Sequence, residues 1–266
     1  KDLNKAIKKN PRSLPGLLMR AEVRARLEKF KLAEGDIDRV LELRPGLPPA
    51  ILLRAGINAA QEKYLAAIRD LEQLLQNNPS NVEVRLQIAA FYVADERPSM
   101  AIELLTEVLA DDPENWQAMR SRGDALLSIA KQKEAIADYE AALKIHQESD
   151  GLYNNLAWVL STSPEDDLRD GERAIGLAKK ACELTEYKAP HILSTLASAY
   201  AETGDFETAI EWSSKAVEMS DEDDGEIKEQ LQAELDSYKD KKPWREKQEV
   251  KEKPKPPRAS ETDLEL

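Results

Sequence analysis

Residues 82–115 read VEVRLQIAAFYVADERPSMAIELLTEVLADDPEN, and the stretch closes around a proline, Pro113, that stands 34 residues after Pro79. Pro45 and Pro11 continue the same step backwards, and Ala33, Ala67, Ala101 and Ala135 keep it too. A fixed step of roughly 20 to 50 residues means that one supersecondary unit recurs and that each copy buries its apolar face against the next. Such an array has no enclosed interior of the kind enzymes use. The spacing therefore predicts a binding scaffold.

With the proline set at position 32, units start at Leu14, Pro48, Val82 and Trp116. Position 8 is small throughout (Ala21, Ala55, Ala89, Gly123), as is position 20, which lets two helices cross at close range. Position 24 (Ile37, Leu71, Leu105, Tyr139) and position 28 (Leu41, Leu75, Leu109, Leu143) fall on one helical face. Each unit reads as a helical hairpin. The proline ends its second helix, because the residue before it avoids the helical region and the ring cannot continue the turn. Asn115 then suits the N-cap of the next helix.

These features resemble the tetratricopeptide repeat (TPR) family: 34-residue units, small residues at positions 8 and 20, an aromatic at 17 (Phe30, Tyr64, Phe206) and proline at 32. The resemblance covers about residues 1–223. It implies an all-α solenoid, a right-handed superhelix of antiparallel helix pairs whose concave face holds a peptide.

Two units depart from the strict pattern. From Gly151, Leu156 and Ala157 take positions 7 and 8 but Ala174 takes position 20, so five residues are inserted between the helices. The segment, with its NLAW, STSP and RDG stretches, is similar to a variant repeat found near the C-terminus of bacterial TPR proteins. Register returns with Ala197, Tyr200, Gly204, Phe206 and Ala209. At the other end, Leu3 and Ala6 take positions 24 and 27 of a unit whose first helix is missing, so a segment upstream of Lys1 is expected. Ile227, Leu231, Leu235 and Tyr238 share one helical face, with Lys228, Glu229 and Glu234 elsewhere, as a cap for the last repeat requires. The expected segmentation is 1–13 as the second helix of a truncated repeat, then repeats at 14–47, 48–81, 82–115, 116–149, 150–189 (with the insert) and 190–223. A capping helix over 224–240 and a flexible, charged, proline-rich tail over 241–266 complete it.

Position 7 carries arginine in units one, two and four (Arg20, Arg54, Arg122), and position 23 on the facing helix carries aspartate in those same units (Asp36, Asp70, Asp138). Elsewhere both positions are apolar, as in Ile88 with Leu104. A concerted switch of this kind marks structural ion pairs, since a buried charge without a partner costs several kcal/mol.

If the chain follows the family, positions 2, 5, 9 and 12 of the first helices line the concave face. That places Leu18, Leu52, Leu86, Ala90 and Val93 in an apolar strip over the first three units, and Arg120, Asp124, Asn154, Trp158 and His191 in a polar stretch over the next three. The lysine and asparagine set with which chaperone-binding TPR domains clamp a carboxylate is absent, because Leu18 and Leu52 stand where lysine is wanted.

Composition narrows the partners. Apolar residues make up 41%, charged 33% and aromatic 5%, which suits a helical array. The net charge of −13 argues against phosphate-driven nucleic-acid binding and favours apolar or basic partners. No run of roughly 18 apolar residues suggests a membrane span. His146 and His191, the only histidines, have no second ligand at metal spacing, and Asp221, Asp223 and Asp224 before Gly225 miss the EF-hand pattern, so no metal or cofactor is implied. Those aspartates suit instead the first turn of the capping helix. Cys182, the one cysteine, takes a core slot and reads as apolar filler. The function read from the sequence is a protein-binding scaffold and not an enzyme. A regulatory part of a larger enzyme, or a self-associating structural protein, are the alternatives.

Overall fold

The computed structural model describes residues 2–220, 225–247 and 249–256. Among these residues the secondary structure is helical throughout, with no strand. In chain order the helices are α1 (Asp2–Lys9), α2 (Leu14–Arg26), α3 (Phe30–Leu43), α4 (Pro48–Ala60), α5 (Tyr64–Asn77), α6 (Val82–Ala94) and α7 (Pro98–Asp111). They continue as α8 (Trp116–Leu127), α9 (Gln132–Ile145), α10 (Asp150–Thr162), α11 (Gly171–Leu184), α12 (Pro190–Glu202), α13 (Phe206–Met219) and α14 (Gly225–Lys239). Residues up to 105 together with 252–256 form one compact unit, and residues 106–251 the other.

In the N-terminal unit, Ile7, Leu17, Ala21, Ala33, Ile37, Val40, Ala50 and Ile57 make one buried cluster. Ala21 and Ala33 are wholly buried, which is the close helix crossing that their small size permits. Burying a side chain such as Ile37 is worth roughly 1.5–3 kcal/mol. Polar side chains set where the helices begin: Ser13, Asn81, Asn115, Ser149, Asp170 and Asp205 each accept a backbone N–H from the first turn, Asn115 from Ala118 at 2.9 Å.

The turn inside five of the hairpins, all but α10–α11, has a feature that its residues hide. Glu28, Glu62, Glu96 and Ala130, spaced 34 apart, all have φ between 56° and 62°, and Gly204 takes φ 85° at the same repeat position. The next residue closes the turn by donating its N–H back to the first helix, as Lys63 does to the Asn58 carbonyl at 2.8 Å.

The arginine–aspartate pairs form inside their hairpins. Arg20 Nη2 lies 2.6 Å from Asp36, Arg54 Nη2 2.7 Å from Asp70, and Arg122 Nη2 2.7 Å from Asp138, with each Nε donating to the same carboxylate. Hydrogen bonding to the partner carboxylate raises the pKa of Arg20 and of Arg122. Two further donors escape the sequence reading: Arg24 Nη1 reaches Asp36 at 2.6 Å and Asn58 Nδ2 reaches Asp70 at 3.1 Å.

In the C-terminal unit, the insert after α10 is a short 3-10 turn, Asp166–Leu168, held by Arg169, which donates to Glu202 at 2.8 Å and to the Ser163 carbonyl at 2.8 Å. Ser163 in turn hydrogen-bonds Gln132. Cys182 is fully buried, and burial pushes its thiol up to about 11. Helix α14 covers α13 and α12, burying Leu231, Leu235 and Tyr238. Two of its residues differ from expectation. Ile227 is 52% exposed, while Glu234, expected on the outer face, is only 1% exposed because it stands three residues after Leu231 and so shares the inward stripe. The first-turn role read for Asp221, Asp223 and Asp224 lies outside the described residues, as do Lys1 and 257–266.

Two stretches of the segment expected as a flexible tail make contacts. Trp244 packs on the cluster of Ala197, Ala201, Ala209 and Tyr238, Arg245 pairs with Glu202 at 2.6 Å, and Glu246 donates its N–H to the Thr162 carbonyl at 2.9 Å. One large apolar ring between charges, with the ion pair and the backbone hydrogen bond beside it, holds residues 244–246. Within the other unit, Lys253 lies 3.3 Å from Glu96, Lys255 2.7 Å from Glu103, and Arg97 donates to the Pro254 carbonyl at 3.0 Å. No helix among the described residues is long and apolar enough to cross a membrane.

Candidate binding site

The C-terminal unit carries a pocket of about 440 Å³ walled by first helices of three hairpins and closed at one end by α14. From α8 come Asp124 and Leu127, from α10 Asn154, Asn155 and Trp158, and from α12 His191, Ser194 and Thr195. Tyr139 of α9 forms its floor, and Ile227, Gln230, Leu231 and Glu234 of α14 its end wall. Four residues that the sequence assigned to a concave face, Asp124, Asn154, Trp158 and His191, thus share one cavity. Arg120 stays outside it: its Nε is 4.0 Å from Asp124 and its guanidinium lies against Gly151.

The polar groups are ordered in one direction. Tyr139 donates its hydroxyl to Asp124 Oδ1 at 2.6 Å, and Asn155 Nδ2 donates to the same oxygen at 2.9 Å. Asn154 Nδ2 points to Asn155 Oδ1 at 3.4 Å, which leaves Asn154 Oδ1 buried without a donor. On the end wall Ser194 Oγ donates to Glu234 Oε2 and Gln230 Nε2 to Glu234 Oε1 at 3.0 Å. Burial pushes the Glu234 carboxyl above the usual range, an effect that these two donors partly offset and that the nearby charge of Glu246 reinforces. Burial, then the charge of Asp124, likewise lifts the Tyr139 phenol far above its usual value. The Glu246 carboxyl is raised by burial, with the Trp158 indole N–H offsetting part of the rise.

Sequence reasoning missed Tyr139, Asn155, Gln230, Ile227 and Glu234 as pocket residues. Tyr139 carried a signal, being a polar-tipped ring at the position that Ile37, Leu71 and Leu105 hold in the first three repeats. In the N-terminal unit the expected strip is unevenly available. Leu52 is 41% exposed and Ala90 is exposed, whereas Leu86 and Val93 are half-buried and Leu18 packs against the Ile37 cluster.

Paired helices in register, with small residues at each crossing, define the class: a helical-repeat protein. The chain contains tetratricopeptide repeats. The tetratricopeptide repeat family matches residues 58–123 and again residues 190–223. In fold it is similar to the solved structure titled "Crystal structure of MamA protein", at 22% identity and a TM-score of 0.53 over 65% of this chain and 91% of that one. It is also similar to a chain of the APC/C hetero-tetramer Cut9–Hcn1, at 14% identity and a TM-score of 0.65 over 89% of this chain and 45% of that one. No curated protein sequence matches the chain.

Proposed function

We propose that the protein is an interaction scaffold whose C-terminal pocket receives a segment of a partner protein. One observation carries the reading: Asp124, Asn154, Trp158 and His191, drawn from three successive hairpins, converge on a single cavity that also holds apolar surface from Leu127, Ile227 and Leu231. A concave site with mostly apolar walls and a few directed polar groups is the usual form of a recognition pocket, and a tryptophan within it supplies the large contact area typical of binding hot spots. The exposed Leu52 and Ala90 offer the N-terminal unit a separate apolar contact. The work proposed for the chain is binding, not catalysis.

Selection of a displayed random-peptide library on the immobilised protein tests this. Peptides of a common pattern should be enriched, and their binding should be lost in Trp158→Ala while helical content by circular dichroism persists. Failure to enrich any pattern, or enriched peptides that bind Trp158→Ala unchanged, overturns the reading. Leu52→Glu in the same assay reports whether the N-terminal strip takes part.

A further inference from the structure

We infer that the pocket selects a cation, the ammonium or guanidinium of a partner's lysine or arginine side chain, received among Trp158, Asp124 and Glu234. This deepens the proposed function and rests on it. Both hydroxyls on the wall are committed, Tyr139 to Asp124 and Ser194 to Glu234, and each amide gives one hydrogen: Asn155 Nδ2 to Asp124, Asn154 Nδ2 to Asn155 and Gln230 Nε2 to Glu234. The negative acceptors are less fully used. Asp124 keeps its second oxygen, whose nearest cation, Arg120 Nε, stands at 4.0 Å, beyond hydrogen-bond length. Asn154 Oδ1 has no donor at all, and a carboxylate holds about four lone-pair sites, of which Glu234 has two filled.

Charge points the same way. Asp124 and Glu234 both line the cavity, no lysine or arginine does so among the described residues, and a third carboxylate, Glu246, acts on Glu234. An anionic group entering here would meet Asp124 and Glu234, with only His191 and the second amide hydrogens of Asn154, Asn155 and Gln230 to donate to it, whereas a cation would be attracted to both acids. The remaining walls fit the rest of such a side chain. Leu127, Ile227 and Leu231 can cover a long aliphatic stem, and Trp158, which is only partly buried, brings an aromatic ring of the kind that attracts a cation. At about 440 Å³ the cavity has room for one long side chain with the backbone that carries it.

The test titrates the whole chain with N-acetyl-lysine methylamide and, separately, with N-acetyl-norleucine methylamide, which has a similar stem without the charge. The indole N–H resonance of Trp158, assigned by its loss in Trp158→Phe, is followed by NMR. The lysine probe should shift it saturably and bind at least tenfold tighter than the norleucine probe. That preference should fall severalfold in Asp124→Asn, a change of charge at nearly constant shape, and in 0.5 M salt. Equal shifts from both probes, a shift from neither, or a preference untouched by Asp124→Asn overturns the inference. The peptides selected above separate the two readings: a common pattern lost in Trp158→Ala but devoid of lysine and arginine leaves the scaffold standing and removes the cation. n-Butylammonium binding as well as the lysine probe assigns the site to free amines instead of a partner side chain and overturns it too.

Discussion

The ring of Tyr139 lies directly over Gly123: a methyl group added to that glycine would stand 2.7 Å from Cε1 of the ring. In the other strict hairpins the same pair of positions is Ala21 with Ile37, Ala55 with Leu71 and Ala89 with Leu105. The fourth hairpin gives up a methyl on one helix to fit a larger ring on the other. In exchange the phenol reaches Asp124 at the pocket wall.

Gly123→Ala should therefore destabilise the C-terminal unit by about 1–3 kcal/mol through overpacking. The double variant Gly123→Ala with Tyr139→Leu, which copies the Ala89 and Leu105 pair, should recover most of the loss. Chemical denaturation of the two variants decides it. A single variant as stable as the parent would mean that the ring moves aside freely.

Arg54 and Asp70 form a half-buried pair in a hairpin whose neighbour, with Ile88 and Leu104, does without charge. Arg54→Leu should cost about 2 kcal/mol, because Asp70 keeps only Asn58. Adding Asp70→Leu should restore much of it. Strictly additive losses in thermal unfolding would refute the coupling.

At position 15 the backbone is left-handed, yet Glu62 and Ala130 carry side chains there. Relief of that strain outweighs the extra freedom glycine gives the unfolded chain, so Ala130→Gly and Glu62→Gly should each stabilise by roughly 0.5–1 kcal/mol. Denaturant midpoints with unchanged slopes would show it. A loss of stability at both sites would contradict the strain argument.

Glu234 has its pKa raised in the folded protein by burial, against Ser194 and Gln230 as donors and Glu246 as a like charge. A raised folded value means that the folded state holds the proton more tightly. Its contribution is fully present below the ordinary carboxylate range, is lost as pH rises to the raised folded value, and is level above that. Stability measured against pH should show this decline in the parent, and Glu234→Gln should remove that part of it. Identical pH profiles for the two proteins would place the titration elsewhere.

The backbone N–H of Glu246 bonds Thr162, and Trp244 fills a slot beside Tyr238. Amide exchange at Glu246 should therefore be slow, and Trp244→Ala should lower the melting temperature by several degrees, about 2 kcal/mol of lost packing. Exchange at the free-peptide rate would return residues 243–246 to the mobile tail that composition suggests.

What the sequence disclosed and what it hid follow from range. The 34-residue step fixes which residues face each other inside a hairpin, so Arg122 and Asp138, sixteen apart, could be paired on paper. Asn154, Trp158 and His191 could be placed on one face for the same reason. Glu234 could not, because an acid on an amphipathic helix reads as solvent-facing until the helix has been docked. Trp244 was hidden by the lysines, glutamates and prolines around it, whose average says nothing about one ring. Position 15 was hidden because the turn's hydrogen bonds hold glutamate in a conformation that glycine would announce.

Cys182, wholly buried against the start of α12 with Sγ 3.9 Å from the Ile192 carbonyl and a thiol that ionises only near 11, cannot meet an alkylating reagent while α11 and α12 stay together. The chain has no other thiol, so every labelling event counts one separation of those two helices. The protein thus carries its own stopwatch for local opening, and a ligand that tightens the C-terminal unit should slow it without any engineered probe.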